Sequence, residues 1–169
     1  MRLLEVPYVQ QFNNNACGAA VLEMIYRFYG FYNVSQQEIF ETYSELEPHG
    51  SRNLRITTDN LVRDARSKGF NARRERVDYS NEKECITIIE NFFAKGIPII
   101  VCQKFTNAQP KIGHFRIVLG IDSSNVYLHD PNSEMEGPEL KWPIKQFIDC
   151  WQPTGQNVIG GVYVIITKT

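Results

Sequence analysis

The sequence predicts an α+β domain, with helices in the first half of the chain and antiparallel strands in the second. Helix start and stop signals are concentrated in the first half, and β-branched runs separated by turn residues follow in the second. Of the 169 residues, 43% are apolar and 22% are charged, as in globular rather than disordered chains. A chain of this length is expected to form one domain over residues 1–169.

Four helices are expected in the first half. Residues 17–29 carry apolar side chains at three- and four-residue steps, and Gly30 is a suitable C-terminal stop. Residues 35–38, Ser-Gln-Gln-Glu, form a capping-box pattern that predicts the start of the second helix. The third is expected over residues 58–68, and the fourth from a cap at Ser80 or Asn81 to residue 95.

Four strands are expected in the second half, because β-branched and aromatic residues dominate four short runs. The turn at residues 122–124 joins the second and third of these strands as a hairpin. A short helix is expected over residues 142–151, before the last strand. The predicted strands cover residues 97–105, 114–121, 125–128 and 161–167.

The charge and hydropathy of the chain argue against several classes of protein. The formal net charge is −1, so no basic surplus supports binding to nucleic acid or an anionic membrane. No apolar run approaches the ~20 residues of a membrane span. The N-terminus lacks the parts of a signal peptide, so a cytoplasmic location is expected, with secretion by a non-standard route left open. No pattern indicates an oligomeric state.

Four cysteines are spread along the chain without a CxxC pair. This spacing argues against a zinc ribbon or a redox pair, and four reduced thiols are expected. Cys85, Cys102 and Cys150 each lie in an apolar stretch and are expected to be small core residues. Because the chain has three histidines and no ligand pair at metal spacing, we expect no metal and no other cofactor.

Cys17 differs from the other cysteines because it opens the first predicted helix. The positive end of the helix dipole favours the thiolate and lowers the pKa of such a thiol. Gly18, Ala19 and Ala20 follow, and small residues at these positions let a substrate backbone approach. The alternative is a buried helical cysteine beside small packing residues, which is the commoner situation for a single cysteine.

Two further residues can supply the chemistry that a cysteine nucleophile needs. Gln11, six residues before Cys17, can donate from its amide to the oxygen of an attacked carbonyl, together with the Cys17 backbone N–H. His114 opens an apolar strand, where its ring can take the proton of Cys17. Either residue can instead be purely structural. The other histidines are less well placed, since His49 lies in a Pro-His-Gly turn and His129 can face the opposite side of its strand.

A residue that orients His114 is expected at the end of the following strand. The predicted hairpin brings Asp130 back alongside His114, where a carboxylate fixes the imidazole tautomer and stabilises its charged form. Asn132 and Asp122 are the nearby alternatives, and Asp-Pro is also a common strand terminator. The oxyanion donor, nucleophile, base and orienter thus follow one another in the order of a papain-like cysteine hydrolase.

Two regions of the sequence resemble the motifs of a known family. The resemblance is to the bacteriocin-processing cysteine peptidases that remove double-glycine leaders, and to their stand-alone relatives. It implies a papain-like cysteine protease fold, in which N-terminal helices pack on a C-terminal antiparallel sheet. The motifs are VPYVQQF at residues 6–12, NACGAA at residues 15–20, GHF at residues 113–115 and YLHDP at residues 127–131.

Carried over residue by residue, the resemblance implies that Cys17 is the nucleophile and His114 the base. It also implies that Asp130 orients the base and that Gln11 lines the oxyanion hole. The exporters of this family contain membrane spans and a Walker motif, neither of which occurs here, so a stand-alone relative is expected. An insert at about residues 46–56 is expected to form part of a substrate cleft.

The expected activity is hydrolysis of a peptide or isopeptide bond in a peptide or protein substrate, through a thiolate attack and an acyl-enzyme. Two alternatives remain open. The same site can transfer the acyl group to an amine or deamidate a side chain, because an acyl-enzyme does not dictate what attacks it. The fold can also serve as a module that binds a peptide without cleaving it. The presence of all four candidate residues favours the hydrolase.

Overall fold

The computed structural model of the protein describes residues 2–47, 53–106, 113–135, 137–154 and 158–169. The predicted α+β class is confirmed. The helices are α1 (Cys17–Phe28), α2 (Gln36–Tyr43), α3 (Thr58–Ser67), α4 (Glu82–Ala94) and α5 (Ile144–Trp151), with a short 3₁₀ helix at Ser133–Met135. The strands are β1 (Glu45–Leu46), β2 (Leu54–Arg55), β3 (Asn71–Arg76), β4 (Ile99–Lys104), β5 (Gly113–Ile121), β6 (Asn125–His129), β7 (Leu140–Pro143) and β8 (Val162–Thr167).

Local capping explains where most of the helices begin. Ser35 and Glu38 form both halves of the predicted capping box at the start of α2. The side chain of Thr57 caps α3, and the side chain of Asn81 caps α4. The last helix begins later than predicted, because Trp142 belongs to β7, which pairs with β6 before the chain turns into α5.

Six strands form one antiparallel sheet in the order β3-β8-β4-β5-β6-β7, while β1 and β2 form a separate two-stranded sheet. The sequence did not predict β1, β2, β3 or β7. The edge strand β3 is rich in charged residues, and of its side chains only Ala72 is buried. Charged side chains are common on edge strands because they discourage pairing with a further strand, but they also remove the apolar alternation that identifies a strand.

The sheet buries apolar side chains on both faces. On one face, Ile100, Ile117 and Val164 pack against apolar residues of α1 and α3. On the other face, Ile99 and Val101 pack against residues of α4 and α5. Because neighbouring side chains of a strand point to opposite faces, the continuous apolar run of β4 serves both layers.

The N-terminal segment contains neither helix nor strand from residue 2 to residue 16, yet backbone atoms fasten it to the sheet. The N–H of Leu4 donates to the carbonyl of Leu119 at 3.0 Å, and the N–H of Gln11 donates to the carbonyl of Pro131 at 2.8 Å. This segment therefore delivers Gln11 and the start of α1 to the end of the β5–β6 hairpin. Within the described ranges, no helix is long and apolar enough to cross a membrane.

Candidate active site

The N-terminus of α1 meets the start of β5 at one end of the sheet. Cys17 is the first residue of α1, and His114 is the second residue of β5. The packing at Gly18 is tight, since an added Cβ would lie 3.1 Å from Cβ of Ile56 and 3.3 Å from Cδ2 of Phe115. The small residue after Cys17 therefore allows helix and strand to pack together. Gly18 is itself buried, which differs from the expectation that it admits a substrate backbone.

The thiol of Cys17 lies close to the ring of His114 and to the backbone of Phe115, and both neighbours favour its anionic form. Burial alone raises the pKa of Cys17. The charge and the hydrogen bond of His114, together with the Phe115 backbone, outweigh burial, so the pKa of the thiol lies below its ordinary value of 9.0. The geometry thus favours a thiolate at Cys17.

The other side of the His114 ring contacts Asp130, with Nε2 and Oδ1 separated by 2.7 Å. Both side chains are buried, at 4% and 0% relative exposure. Because Nε2 is used by Asp130, Nδ1 is the nitrogen left for Cys17. Burial alone lowers the pKa of His114, but the Cys17 thiolate and the hydrogen bond to Asp130 raise it above its ordinary value, against the opposing charge of Arg116.

Strand register explains why Asp130 reaches His114. The β5–β6 register pairs Ile117 with His129, so the next residues along the two strands are Arg116 and Asp130. His114 lies two residues further along β5 and therefore on the same face as Arg116. The pKa of Asp130 is raised by burial but lowered further by the hydrogen bond and charge of His114 and by Arg116, so the carboxylate is favoured.

The alternative residues for the orienting role occupy other positions. Asp122 accepts hydrogen bonds from its own turn and from the Tyr127 hydroxyl, which hold its pKa at about 2. Asn132 donates its backbone N–H to Oδ1 of Asp130 at 2.8 Å and so supports that carboxylate. His129 is used elsewhere, since its Nε2 lies 2.8 Å from the carbonyl of Val6.

Gln11 lies beside Cys17 in the same cleft. Its Nε2 donates to the carbonyl of Asn13 at 2.8 Å, which leaves the second N–H of the amide for another acceptor. Its Oε1 is buried and has no hydrogen-bond partner among the described residues. If the amide were reversed, Oε1 would face the Asn13 carbonyl and the two oxygens would repel each other. The contact to Asn13 therefore identifies Nε2 as the atom on that side of the amide.

Gln11, Cys17 and His114 line a cleft of about 690 Å³. Of the predicted insert, Glu47 and residues 53–56 form one wall of it, while His49 lies outside the described residues. Cys102 packs against the core on the α1 side of the sheet and also lines the cleft. The alternation of β4 places it there, because Cys102 projects toward α1 with Ile100, whereas Val101 projects toward α4 and α5. The other predicted core cysteines, Cys85 and Cys150, are buried.

Sequence reasoning did not identify Arg116, which is fully buried beside Asp130 and donates to it from Nε at 2.6 Å. Its position in an apolar run, two residues after His114, is the signal that could have found it. In the part of the chain that the structure describes, no group of three or more His, Cys, Asp and Glu side chains is arranged to hold a metal ion.

Five helices and an antiparallel sheet, with Cys17 at a helix start and His114 on the sheet, form the α+β fold of papain-like C39 peptidase domains. The sequence profile of the Peptidase_C39-like family matches residues 3–159, and the chain belongs to that family. This confirms the resemblance found in the sequence. A comparison with curated protein sequences gives no match.

Solved structures share the fold over nearly the whole chain. The peptidase domain of Streptococcus ComA, a bifunctional ABC transporter of a quorum-sensing pathway, superposes with a TM-score of 0.70 at 19% identity, covering 98% of this chain and 100% of the other. A double-glycine-motif protease from an AMS/PCAT transporter, in complex with the leader peptide, gives 0.68 at 21% identity, covering 99% and 94%. A candidate C39-like peptidase from Bacillus anthracis gives 0.70 at 15% identity, covering 100% and 99%.

Proposed function

We propose that the protein is a cysteine peptidase that hydrolyses a peptide or isopeptide bond in a peptide or protein substrate. The observation that carries this proposal is that Cys17 and His114 lie together in the wall of a cleft, with Asp130 hydrogen-bonded to the His114 ring behind them. Membership of a peptidase family supports it. The lowered pKa of Cys17 and the raised pKa of His114 also support it, because together they favour a thiolate–imidazolium pair.

In the proposed reaction, the Cys17 thiolate attacks the carbonyl carbon of the substrate. The developing oxyanion accepts hydrogen bonds from Nε2 of Gln11 and from the backbone N–H of Cys17. The His114 imidazolium then protonates the leaving amine, and the C–N bond breaks to give a thioester. His114 next takes a proton from water, whose oxygen attacks the thioester, and the acid product leaves while Cys17 is regenerated. Asp130 holds the ring throughout in the tautomer that presents Nδ1 to Cys17.

The cleft and the relatives support a peptide as the substrate. A volume of about 690 Å³ is within the range of ligand-binding clefts, which is roughly 300–1,000 Å³. One structure with the same fold holds a leader peptide. We therefore propose a peptide segment as the substrate of this chain.

A peptide library tests the function directly. The parent protein should release new N-termini from some members, and Cys17→Ala should release none, because the nucleophile is removed. Cys85→Ala is the matched control, since Cys85 is a buried cysteine of α4 and should leave cleavage intact. Products are identified by mass spectrometry, with and without an added primary amine.

The outcomes of this experiment separate the candidate functions. Hydrolysed products that require Cys17 support the peptidase. Amine-incorporated products in excess over hydrolysed ones would assign the same residues to acyl transfer instead. Peptides that bind to Cys17→Ala but are not consumed by the parent protein would identify a binding module and contradict the proposal.

Replacing Gln11 should slow the reaction without unfolding the protein. Gln11→Ala removes one oxyanion donor, and such a loss typically lowers the rate by roughly 10²–10³-fold. Gln10→Ala is the matched control, because Gln10 is exposed and its backbone carbonyl, rather than its side chain, accepts a hydrogen bond from Gln36. Initial rates on one cleaved library peptide measure both. Equal rates for the two variants would exclude Gln11 from the oxyanion hole.

A further inference from the structure

Arg116 is a fully buried cation in the middle of an apolar strand. Removing a guanidinium from water costs several kcal/mol, so such a group persists only when its donors are satisfied and its charge is balanced. A fold that needed only packing at this position would be served by an apolar residue. The partners of Arg116 therefore indicate what the residue does.

The partners of the guanidinium are Asp130, the end of β4 with the residue that follows it, and the ring of Trp142. Its Nε donates to Oδ2 of Asp130 at 2.6 Å, and its carbon lies 4.7 Å from the centre of the Trp142 ring. The two terminal nitrogens hold the end of β4. They donate to Oε1 of Gln103 at 3.3 Å, to the Lys104 carbonyl at 3.0 Å and to the Phe105 carbonyl at 2.6 Å.

The two oxygens of Asp130 have different partners, and Oδ1 also accepts a hydrogen bond from the backbone N–H of Asn132 at 2.8 Å. Oδ1 contacts Nε2 of His114 at 2.7 Å, and Oδ2 accepts from Nε of Arg116 at 2.6 Å. A carboxylate held only through Oδ1 can still tilt and shift about that contact, whereas one held at both oxygens has a fixed plane. Arg116 thus fixes the direction in which Asp130 presents its oxygen to the imidazole.

A second contact of the ring depends on the same guanidinium. The ring of Phe105 packs edge-on against His114, with centroids 5.0 Å apart and planes at 77°. Because Arg116 holds the carbonyl of Phe105, it positions the aromatic side chain beside His114 as well as the carboxylate. Two of the neighbours that orient the imidazole are therefore anchored to one side chain.

We propose that Arg116 is a positioning residue for the reaction proposed above, and that it acts by holding Asp130 and Phe105 in place around His114. The proposal rests on the proposed function, because positioning matters only if His114 moves protons. A misplacement of about 1 Å at a reacting group can cost ~10²-fold in rate, which sets the scale of the expected effect.

The charge of Arg116 supports this role independently. Charged groups reach His114 from three elements: Cys17 from α1, Asp130 from the end of β6 and Arg116 from β5. The two anions favour a charged imidazole, and Arg116 opposes them by lowering the pKa of His114. While Asp130 keeps its contact with the ring, loss of the cation should therefore shift the titration of His114 to higher pH, which a loss of stability alone would not do.

The test compares Arg116→Gln, which removes the charge, with Arg116→Lys, which keeps the charge but lacks the planar fork. Lys68→Gln is the matched control, because Lys68 pairs with the buried carboxylate of Asp64, on α3. For each variant, kcat and KM are measured across pH, and the His114 ring is titrated by NMR with isotope-labelled histidine.

Arg116→Gln should lower kcat about 10²-fold with little change in KM, and should move the basic limb and the His114 titration to higher pH. Arg116→Lys should lower kcat while its His114 titration stays nearer that of the parent, and Lys68→Gln should change neither. Parental kcat and parental His114 titration in either folded Arg116 variant would overturn the proposal. The NMR titration needs no substrate, so a protein that cleaves nothing refutes the proposed function, while the titration still decides whether Arg116 acts on His114.

Discussion

Iodoacetamide at mildly acidic pH should alkylate Cys17 at least about 10-fold faster than Cys85 and Cys102 of the native protein. The pKa of Cys17 lies below 9.0, whereas burial raises the pKa of Cys85 to about 11. Burial and the nearby Cys17 thiolate raise the pKa of Cys102 to about 12. A difference of more than about two units gives more than ~100-fold in thiolate fraction, and the lower nucleophilicity of an acidic thiolate reduces this to about 10-fold.

The pH dependence of alkylation has a defined direction. Cys17 holds its thiolate above its lowered pKa, and His114 keeps its proton up to its raised pKa, so both shifts favour the ion pair. Alkylation of Cys17 should decline as the pH falls below the pKa of its thiol. His114→Ala removes the charge that favours the thiolate, so the reaction at mildly acidic pH should fall toward the rates of Cys85 and Cys102.

Mass spectrometry of peptides from briefly alkylated protein measures all four sites in one sample. The urea-denatured protein provides the control, since unfolding should bring the four rates close together. Native Cys17 reacting no faster than Cys102, which lines the same cleft, would contradict an activated thiolate.

Asp130→Ala should destabilise the protein by roughly 3–5 kcal/mol, because it leaves the buried guanidinium of Arg116 without its counter-ion. Asp149→Ala is the matched control on the surface. Asp149 pairs with Lys145 at side-chain exposures of 43% and 82%, and such helical pairs contribute only about 0.3–0.5 kcal/mol. Urea unfolding of the two variants and the parent measures the difference in the free energy of unfolding. The comparison requires that this free energy depends on urea concentration with the same slope in all three proteins.

At acidic pH, the difference in free energy of unfolding between Asp130→Ala and the parent protein should become smaller. Burial raises the pKa of Asp130, but His114 and Arg116 lower it further, so the folded value lies below the ordinary value of 3.8. A carboxylate of this kind stabilises the fold above its unfolded pKa, and that contribution is lost as the pH falls through the folded pKa. Equal destabilisation by Asp130→Ala and Asp149→Ala at neutral pH would contradict the ion pair as a stabilising element.

Much of the fold was predictable because its signals are local. The capping box at Ser35 and Glu38 depends on neighbouring residues, and the sequence therefore located the start of α2. The strand β3 depends instead on a distant partner, since Asn71–Arg76 pairs with Val162–Thr167. Most side chains of β3 are charged and exposed to solvent, while its backbone pairs with β8. Neither property produces an apolar pattern that would identify a strand in the sequence.

The candidate site also contains residues that the sequence indicates and one that only the fold reveals. The sequence led to Cys17, His114, Asp130 and Gln11, and the structure brings these side chains together, while their catalytic roles remain proposals. Arg116 was overlooked because its partners include the backbone carbonyls of Lys104 and Phe105, which have no sequence signature. The reason for a buried arginine at position 116 is visible only once the strand register places Arg116 opposite Asp130.

The attachment of the N-terminal segment has a consequence for how this site can vary among proteins. Leu4 and Gln11 donate their backbone N–H groups to the carbonyls of Leu119 and Pro131. The carbonyl of Val6 contacts the side chain of His129, which is the one side chain among these three attachments. Main-chain hydrogen bonds are available to almost any residue, so they place few demands on the identity of the side chains around them. A framework of this kind tolerates extensive drift in sequence, and it offers a physical reason why folds that share only 15–21% identity with this chain still superpose over nearly its full length.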